Sequence, residues 1–487
     1  MTRAVSLIAV ALLSGCSTAY FKDAGAPPQA DAVTIESWPH RDLWTGVVFN
    51  GEKVGFTRRQ VRPAAGAPGR WEIESEAVMR LHFLGVDKRI RLYAVDRVRP
   101  DLTLEAFRYE HEIDGSRMAV SGEASAADVR FTIDAAGGSE SKTFQLEKKL
   151  YPSSALGFLP VTEGLKIGRG ARYSVFHGET QAIAEAAQEV LAYETSALFE
   201  GPAFKVTTRL LGLETTTWIA ADGRPLFELA LQGVLISALE DESRARRYLV
   251  EASLNKRDAL VEFSLLRAGP IEQPRRVSRM DIRFSDFPEK VEVPSEGGQA
   301  CTRAAEQLEC RIDRAAPLAG GDPARYLAPT LAVPSVLAEI STLAREIAAG
   351  AASDEERIAR LIAWMDANIA KEAVDAFSAA DVLRARRAEC QGHAYLFAAF
   401  ARALGVAARI VNGIAYSEEH GGFLYHTWNE AWIAGRGWQP VDATFGQAHA
   451  DATHVKLIEG ETAAELLPLV NLVGRVRVAS VSALARW

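Results

Sequence analysis

The pattern of apolar and polar positions along this chain changes character once along its length. From about Trp38 to Val250, apolar residues alternate with polar ones, as they do in strands that bury one face. Asn50-Gly51 and Asp222-Gly223 each separate two such runs, which is typical of a tight hairpin turn. We therefore predict a large antiparallel β domain over residues 33–263.

Helical spacing replaces this alternation towards the end of the chain. A capping-box signature at Ser353 precedes an amphipathic helix, and Ser378 opens a shorter one. A third helix is predicted to begin near Cys390 and to end at Gly405. The apolar positions of the first and third helices are Ile358, Leu361, Ile362, Met365 and Ile369, and Ala394, Phe397, Phe400, Ala401 and Leu404. This change of period predicts a second folded domain over 331–487, and therefore an α+β protein.

The first residues have the features of an export signal. Arg3 is the only charge before an apolar run that is shorter than the ~20 residues of a membrane-spanning helix. Leu13-Ser14-Gly15-Cys16 then resembles the lipobox of bacterial lipoproteins, in which cleavage precedes the cysteine and its thiol is acylated. The resemblance implies a signal peptide over 1–16 and lipidation of Cys16. The alternative is a plain signal peptide followed by an unmodified cysteine.

Residues 17–32 contain glycine and proline among small residues, and we predict a flexible tether there. The serine after Cys16 is similar to the pattern of outer-membrane lipoproteins. We expect an outer-membrane lipoprotein that faces the periplasm, with its N-terminal lipid as its contact with the membrane.

That location bears on the other cysteines. Cys301 and Cys310 lie in a polar segment, and an oxidising envelope allows a disulfide between them. Because prolines also punctuate this region, residues 264–330 are predicted to be a short β segment and linker. Cys390 is left without a partner, so its thiol is either reactive or buried and inert.

Composition and charge indicate a folded protein and argue against a nucleic-acid partner. Apolar residues make up 48 % of the 487 positions and charged residues 24 %, which is the balance of a folded protein. The formal net charge is −8, and acidic and basic residues are mixed along the chain. No basic stripe is present, so we predict no nucleic-acid partner.

The position of Cys390 suits a nucleophile. Unpaired backbone N–H groups at the start of a helix favour a thiolate, so we expect the pKa of Cys390 to lie below that of a free thiol. The same N–H groups can hold the oxyanion of a tetrahedral intermediate.

A base and an orienting acid are predicted downstream of Cys390. His426 lies in an alternating segment that reads as a strand, and Gly435-Arg436-Gly437 turns the chain into the next strand. This hairpin brings Asp442 toward His426. A carboxylate that accepts the proton of one ring nitrogen leaves the other nitrogen free to face a sulfur.

Three blocks of this sequence resemble the bacterial transglutaminase-like superfamily. They are Glu389-Cys390-Gln391-Gly392-His393-Ala394, Tyr425-His426-Thr427-Trp428-Asn429-Glu430, and Trp438-Gln439-Pro440-Val441-Asp442-Ala443-Thr444-Phe445-Gly446. The resemblance implies a papain-like C-terminal domain in which Cys390, His426 and Asp442 are nucleophile, base and orienting acid. Ala388-Glu389 departs from the Gly-Asp or Gly-Glu that many relatives carry before the cysteine. The β region resembles no family.

Other residues near these blocks have competing interpretations. Trp428 and Trp438 are read as core packing, with the wall of a substrate groove as the alternative. His393 is read as structural. A metal site is the competing hypothesis for the histidines; because residues four apart in a strand lie too far apart to share one ion, we predict none. The candidate ligands of that site are His420, His426, Glu430, His449 and His454.

The function expected from these residues is acyl transfer through a thioester on Cys390, without a cofactor. Water as acceptor would give an amidase or protease, and an amine would give cross-linking. We favour hydrolysis, with protein or cell-wall peptide as the substrate. The alternative is a binding or assembly lipoprotein that uses the β domain and the groove of the cysteine domain without turnover.

Overall fold

The chain is described by a computed structural model that covers residues 20–485. The predicted signal peptide over 1–16, with the lipidation site Cys16, lies outside these residues, as does the start of the predicted tether over 17–32. Within that tether, Phe21–Asp23 forms strand β1 and pairs with residues 194–196 of a long strand. The prediction of a flexible tether is therefore wrong for Phe21–Asp23, whose backbone is held by the sheet.

An almost wholly antiparallel sheet of sixteen strands confirms the predicted β domain. Its strands are β1 Phe21–Asp23, β2 Asp42–Phe49, β3 Glu52–Pro63, β4 Trp71–Phe83, β5 Val86–Val98, β6 Leu104–Ile113, β7 Ser116–Ala124, β8 Asp128–Ala135, β9 Gly138–Gln145, β10 Leu150–Pro152, β11 Gly170–His177, β12 Ala182–Ser196, β13 Ala203–Leu210, β14 Leu213–Ile219, β15 Pro225–Ala230 and β16 Leu235–Glu240.

This large sheet curls on itself. Its strand order is β10-β11-β12-β13-β14-β15-β16-β2-β3-β4-β5-β6-β7-β8-β9, with β1 on β12. Strands far apart in this order nevertheless touch, since the rings of Phe107 in β6 and Phe176 in β11 are 4.5 Å apart. The curled sheet therefore encloses space between its walls.

Both predicted hairpins are confirmed. Asn50 and Gly51 join β2 to β3 with φ of 47° and 82°, and Gly223 lies between β14 and β15 with φ of 85°. Positive φ at these turns is the conformation that Asn and Gly adopt most readily.

Helices that the alternation did not predict lie within the β domain and just after it. They are a 3₁₀ helix Ser153–Gly157, α1 Leu159–Thr162, α2 Glu242–Leu254 and α3 Ala259–Ser264. Helix α2 packs on the sheet, where a Cβ atom at Gly46 would lie 2.4 Å from the ring of Tyr248. A glycine at this position lets helix and strand approach closely.

Residues 264–330, predicted to be a short β segment and linker, contain strands as far as Asp313. Strands β17 Leu266–Arg267, β18 Val277–Ser285, β19 Gln299–Ala304 and β20 Gln307–Asp313 form there. The last described strand, β27 Arg477–Ala485, completes a sheet of order β19-β20-β18-β27. The predicted disulfide is confirmed, because Cys301 and Cys310 are joined between β19 and β20.

The C-terminal domain packs a helical layer against a small sheet. Its elements are α4 Ala338–Ile347, α5 Asp354–Asn368, β21 Ala370–Lys371, α6 Ala379–Ala385, β22 Arg387–Ala388, α7 Cys390–Ala403, β23 Ala408–Ser417, β24 Gly422–Ile433, β25 Gly437–Val441, β26 Val455–Glu459 and α8 Ala463–Val470. The three predicted helices are confirmed, and Ser353 caps α5 through a hydrogen bond to the N–H of Glu356.

Strands make up 45 % and helices 20 % of the structure, so the chain is strand-rich and its α+β class stays a prediction. Among residues 20–485, no helix combines the length and the apolar character that crossing a bilayer requires.

The curled sheet contacts the C-terminal domain near the start of α7 through an ion pair and hydrogen bonds. Lys88 of β5 forms an ion pair with Asp375 at 2.7 Å and donates to the carbonyl oxygen of Ala373 at 3.1 Å. Ser116 of β7 donates to a carboxylate oxygen of Asp381 at 2.7 Å. These contacts hold the segment that leads into α6.

Candidate active site

Close packing fixes the start of helix α7, where Cys390 lies. The helix begins at Cys390 with Glu389 as its N-cap, and most of its following residues are buried. Gly392 is required by this packing, since a Cβ atom there would lie 2.6 Å from that of Ala388. Cys390 itself is half-buried and is not in a disulfide.

Strand β24 carries His426, and Asp442 directly follows β25. Nε2 of His426 lies 2.8 Å from Oδ2 of Asp442. The other carboxylate oxygen, Oδ1, accepts from the backbone N–H groups of Thr444 and Phe445 at 2.8 and 3.1 Å. Because Asp442 accepts at Nε2, the remaining ring nitrogen Nδ1 is free to receive a proton.

Aromatic packing fixes the plane of the His426 ring. The ring of Phe445 stacks on it at 4.7 Å with an interplanar angle of 10°, and Trp428 is near-parallel to it at 6.2 Å. An imidazole held in this way keeps one orientation toward its partners.

The helix and the strand bring Cys390 next to the histidine segment. Asn429 of β24 donates to the carbonyl oxygen of Ala394 in α7 at 3.1 Å. The backbone and the side chain of Thr427, the residue after His426, act to lower the pKa of the Cys390 thiol, and the Thr427 hydroxyl donates to Oδ1 of Asn412 at 2.8 Å. Within residues 20–485, no hydrogen bond joins the sulfur to the His426 ring. Such bonds are often long in resting enzymes and tighten when substrate binds.

The expectation of a lowered pKa for Cys390 is wrong. Burial raises the pKa of Cys390, and the carboxyl group of Glu389, whose Oε2 lies 4.0 Å from the sulfur, raises it further. The effect of the helix start and of Thr427 is smaller than the cost of placing a thiolate in this environment. The side chain of Cys390 is therefore a neutral thiol at rest.

Glu389 has an unusual environment of its own. Burial raises its pKa to about 8, with a further contribution from Asp375, while Lys88 acts in the opposite direction. A lysine of the large sheet thus influences the carboxyl group beside the nucleophile.

Asp442 stays ionised although it is fully buried. Burial acts to raise its pKa, but the charge and hydrogen bonds of His426 and His454 hold the pKa well below its usual range. The acid can therefore stabilise an imidazolium on His426 during a reaction.

His454 is a site residue whose role the sequence did not reveal. Its Nε2 lies 2.9 Å from Oδ2 of Asp442, and its Nδ1 lies 3.1 Å from the carbonyl oxygen of Asp451. Burial lowers the pKa of His454, but the charge of Asp451 and the hydrogen bond to Asp442 raise it overall. Asp451 is paired with Arg275 at 3.0 Å. The short spacing of an aspartate and a histidine before β26 was the available signal.

The other candidate residues singled out in the sequence form no hydrogen bonds with the side chains of His426 and Asp442 in the described part of the chain. Trp428 and Trp438 are each only 2 % exposed, which agrees with core packing, and the alternative that they line a substrate groove stays a prediction. His393 is buried in α7, with Nδ1 2.9 Å from the carbonyl oxygen of Glu389, as expected of a structural residue. Glu430 pairs with Arg409 and Lys456.

The residues that could bind a metal ion in the described structure are His426, Asp442 and His454, which is not the set of candidate ligands named from the sequence. The ligand atoms of His426, Asp442 and His454 all lie within 4.8 Å of one another, while His420 and His449 lie elsewhere. Both imidazoles direct Nε2 at one oxygen of Asp442 at hydrogen-bond distance. The absence of a metal site stays a prediction.

Comparison with known families bears on this domain. Residues 341–443 match the model of the transglutaminase-like superfamily, and the match contains Cys390, His426 and Asp442. The C-terminal region therefore carries a transglutaminase-like domain, which confirms the resemblance drawn from the three sequence blocks.

Individual relatives cover only parts of the chain. Kyphoscoliosis peptidase of Mus musculus is 31 % identical over 137 residues, which are 25 % of this chain and 20 % of the mouse protein. The chain thus spans about one fifth of the length of that curated relative.

Two solved structures each align with part of this chain. The periplasmic domain of TgpA from Pseudomonas aeruginosa is 19 % identical with a TM-score of 0.26, covering 38 % of this chain and 73 % of that domain. A beta-barrel-like protein of a domain of unknown function from Brucella abortus is 8 % identical with a TM-score of 0.32, covering 41 % of this chain and 95 % of its own. At such TM-scores neither likeness informs about activity.

Proposed function

We propose that this protein, whose C-terminal region carries a transglutaminase-like domain, is a cysteine enzyme that cleaves amide bonds in peptides through a thioester on Cys390. The observation that carries this proposal is the 2.8 Å contact between Nε2 of His426 and Oδ2 of Asp442. This contact leaves Nδ1 of His426 available as a base on the strand that also brings Thr427 to the Cys390 sulfur.

Acylation begins from the neutral thiol of Cys390. A rotation of the Cys390 side chain brings its S–H to Nδ1 of His426, which takes the proton as the sulfur attacks the substrate carbonyl. Backbone N–H groups at the start of α7 hold the oxyanion. The C–N bond then breaks, His426 returns the proton to the leaving amine, and a thioester remains.

Deacylation regenerates the enzyme. Water attacks the thioester, His426 accepts its proton, and the acid product leaves as the thiol re-forms. An amine in place of water would give a transferred acyl group. We favour hydrolysis, as an exported enzyme acting on protein or cell-wall peptide.

The proposed location follows from the sequence. A signal peptide over 1–16 and a lipid on Cys16 would hold the enzyme at the outer membrane, facing the periplasm. The disulfide between Cys301 and Cys310 fits an oxidising compartment.

One observation favours the non-catalytic alternative. Burial and Glu389 raise the pKa of Cys390, as they would for an inert thiol in a binding or assembly protein. An imidazole that accepts the proton during attack removes the need for a resting thiolate, which is why we prefer the enzyme.

The test uses fluorescein-labelled casein and dansylcadaverine with the purified full chain carrying Cys16→Ser. The proposal expects release of fluorescent peptides that is lost in Cys390→Ala and in His426→Ala but kept in His449→Ala, a matched control at an exposed histidine. Incorporation of dansylcadaverine instead of release would identify a transferase. Neither product, with Cys390 alkylated no faster than in His426→Ala, would support the binding protein.

A further inference from the structure

The curled sheet contains a cavity that has no part in the chemistry of Cys390. Its volume is about 300 Å³, and its walls come from β12, β13, β14, β15 and from Arg59 of β3. The 3₁₀ helix Ser153–Gly157 covers it, and Leu467 of α8 contributes to its lining. A second cavity of about 330 Å³ shares Arg59 and Glu228 with it.

Arg59 is a half-buried cation in this cavity, and the carboxyl group of Glu228 is the opposite charge that acts on it. Within residues 20–485, its guanidinium group forms no hydrogen bond and no ion pair within 4.0 Å. It rests against the ring of Phe158, 5.4 Å from the ring centre, and against Gly157. A guanidinium group that lines a cavity and has no hydrogen-bonded partner there can pair with the carboxylate of a ligand.

Gln188 offers an unused acceptor in the same cavity. Its side chain is 7 % exposed, and its Nε2 donates to the carbonyl oxygen of Leu156 and to the hydroxyl of Thr208, both at 2.9 Å. Its Oε1 is buried and has no hydrogen-bond partner in the described part of the chain. A buried acceptor of this kind calls for a donor from outside the protein.

These two groups belong to one site because they contact consecutive residues. Gln188 bonds to Leu156, and Nη1 of Arg59 would lie 2.8 Å from a Cβ atom at Gly157. Glu228 adds a carboxyl group that accepts from the hydroxyl of Thr217 at 3.0 Å. Burial raises the pKa of Glu228, and the charge of Arg59 acts in the opposite direction.

The remaining walls are largely aliphatic. Leu156, Val206, Leu210, Leu213 and Ile219 line the cavity next to these polar groups. An apolar pocket with a few polar groups that converge is the usual form of a small-molecule site.

We propose that this cavity binds a hydroxylated aliphatic carboxylate, whose carboxylate pairs with Arg59, whose hydroxyl donates to Oε1 of Gln188 and whose chain lies along the aliphatic wall. The site is independent of the proposed peptidase activity. It gives the β domain a role as a sensor or carrier of amphiphilic acids.

The experiment is calorimetric titration of the full chain carrying Cys16→Ser with 3-hydroxydecanoate, decanoate and decylamine. We expect 3-hydroxydecanoate to bind one site, decanoate more weakly, and decylamine at least about tenfold more weakly than decanoate, since a charge-assisted bond contributes that much or more. Arg59→Gln should lower the affinity for both acids at least about tenfold. The control Arg62→Gln, on the same strand but facing Glu72 and Glu74, should leave it unchanged.

Two further variants keep the test decisive. Gln188→Leu should abolish the preference for the hydroxylated acid over decanoate. If Arg59→Gln does not fold, Gly157→Ala should weaken binding by displacing the guanidinium. Equal affinity for decanoate and decylamine, or for decanoate and its hydroxylated form, would overturn the proposal. Cys390→Ala should bind as the parent does, so failure here and failure of the proposed peptidase are distinguishable.

Discussion

The Sγ atom of Cys390 lies 4.0 Å from Oε2 of Glu389, so the residue that caps helix α7 also controls the charge next to the nucleophile. Burial raises the pKa of Glu389 to about 8. The carboxyl group is therefore neutral at mildly acidic pH and becomes anionic above pH 8, where its charge opposes a thiolate on Cys390.

Replacing this carboxyl group should change reactivity only at high pH. In Glu389→Gln, alkylation of Cys390 by iodoacetamide should match the parent at pH 6 and exceed it by about tenfold at pH 9, because one like charge is removed. Rates measured by mass spectrometry across this range test it. Glu372→Gln, on an exposed residue paired with Arg387, is the control. Equal rates at pH 9 would contradict the prediction.

The carboxylate of Asp442 should be needed for activity rather than for the fold alone. An amide in Asp442→Asn cannot accept from both imidazoles and reverses the tautomer of His426, so kcat/KM on casein peptides should fall by at least about 10²-fold. Asp366→Asn, which alters an exposed carboxylate, should have full activity. An Asp442→Asn enzyme with parental kcat/KM would exclude the orienting role.

His454 is expected to act as a positioning residue for Asp442. His454→Phe removes the N–H donor and should lower kcat about tenfold with KM unchanged, since the substrate is not touched. His454→Gln keeps a donor on a side chain of similar reach and should restore most of kcat. Steady-state kinetics of both variants distinguish this role from packing, because a packing role would favour the aromatic Phe over Gln.

Asp96 should make the stability of the β domain depend on pH. It is 1 % exposed, and burial raises its pKa to about 6 despite hydrogen bonds from Ser154 and Tyr109. Since the folded pKa lies above the unfolded one, this residue's contribution is fully present below the unfolded pKa and is lost as pH rises through 6. Between pH 5 and pH 8, the parent should lose about 1–2 kcal/mol relative to Asp96→Asn.

Urea unfolding at both pH values measures this difference. A constant gap in unfolding free energy between Asp96→Asn and the parent would show that Asp96 is ionised throughout. Asp134→Asn, on an exposed strand position, serves as the control for loss of one carboxylate.

The contact of the two regions through Lys88 should be costly to remove. Lys88 is 5 % exposed and lies 2.7 Å from Asp375 and 3.5 Å from Asp114. Lys88→Met leaves these carboxylates without their cation and should reduce the free energy of unfolding by about 3 kcal/mol. Lys148→Met, at an exposed lysine, should change it by less than about 0.5 kcal/mol. A small effect at Lys88 would mean that the interface does not depend on this ion pair.

Local signals predicted the local parts of this fold. The cap at Ser353, the turn at Asn50-Gly51 and the helix start at Cys390 depend on neighbours in sequence, and the structure has all three. The pairing of β18 with β27 depends on residues nearly 200 positions apart, for which a single sequence holds no comparable signal. The sheet that β18 forms with β27 was therefore not predicted.

In the candidate site, too, residues close in sequence were predicted to lie together, and residues brought together by tertiary packing were not. His426 and Asp442 lie on one hairpin, so turn and strand patterns were enough to pair them. His454 contacts the same carboxylate from a loop in which Asp451 pairs with Arg275. Arg59 and Gln188 line one cavity although they belong to strands far apart in the chain. The pKa of Cys390 was misjudged because the burial around a helix start is set by tertiary packing.

The pairing of β27 with β18 limits how this protein can be divided. Met280, Ile282 and Phe284 of β18 are buried in a core to which Val478, Val481 and Ala483 of β27 also belong. A fragment trimmed to the boundaries of the family match would lose both strands and uncover the underside of the sheet that carries His426. A fragment that keeps this core intact must therefore include β17, β18 and the final strand β27.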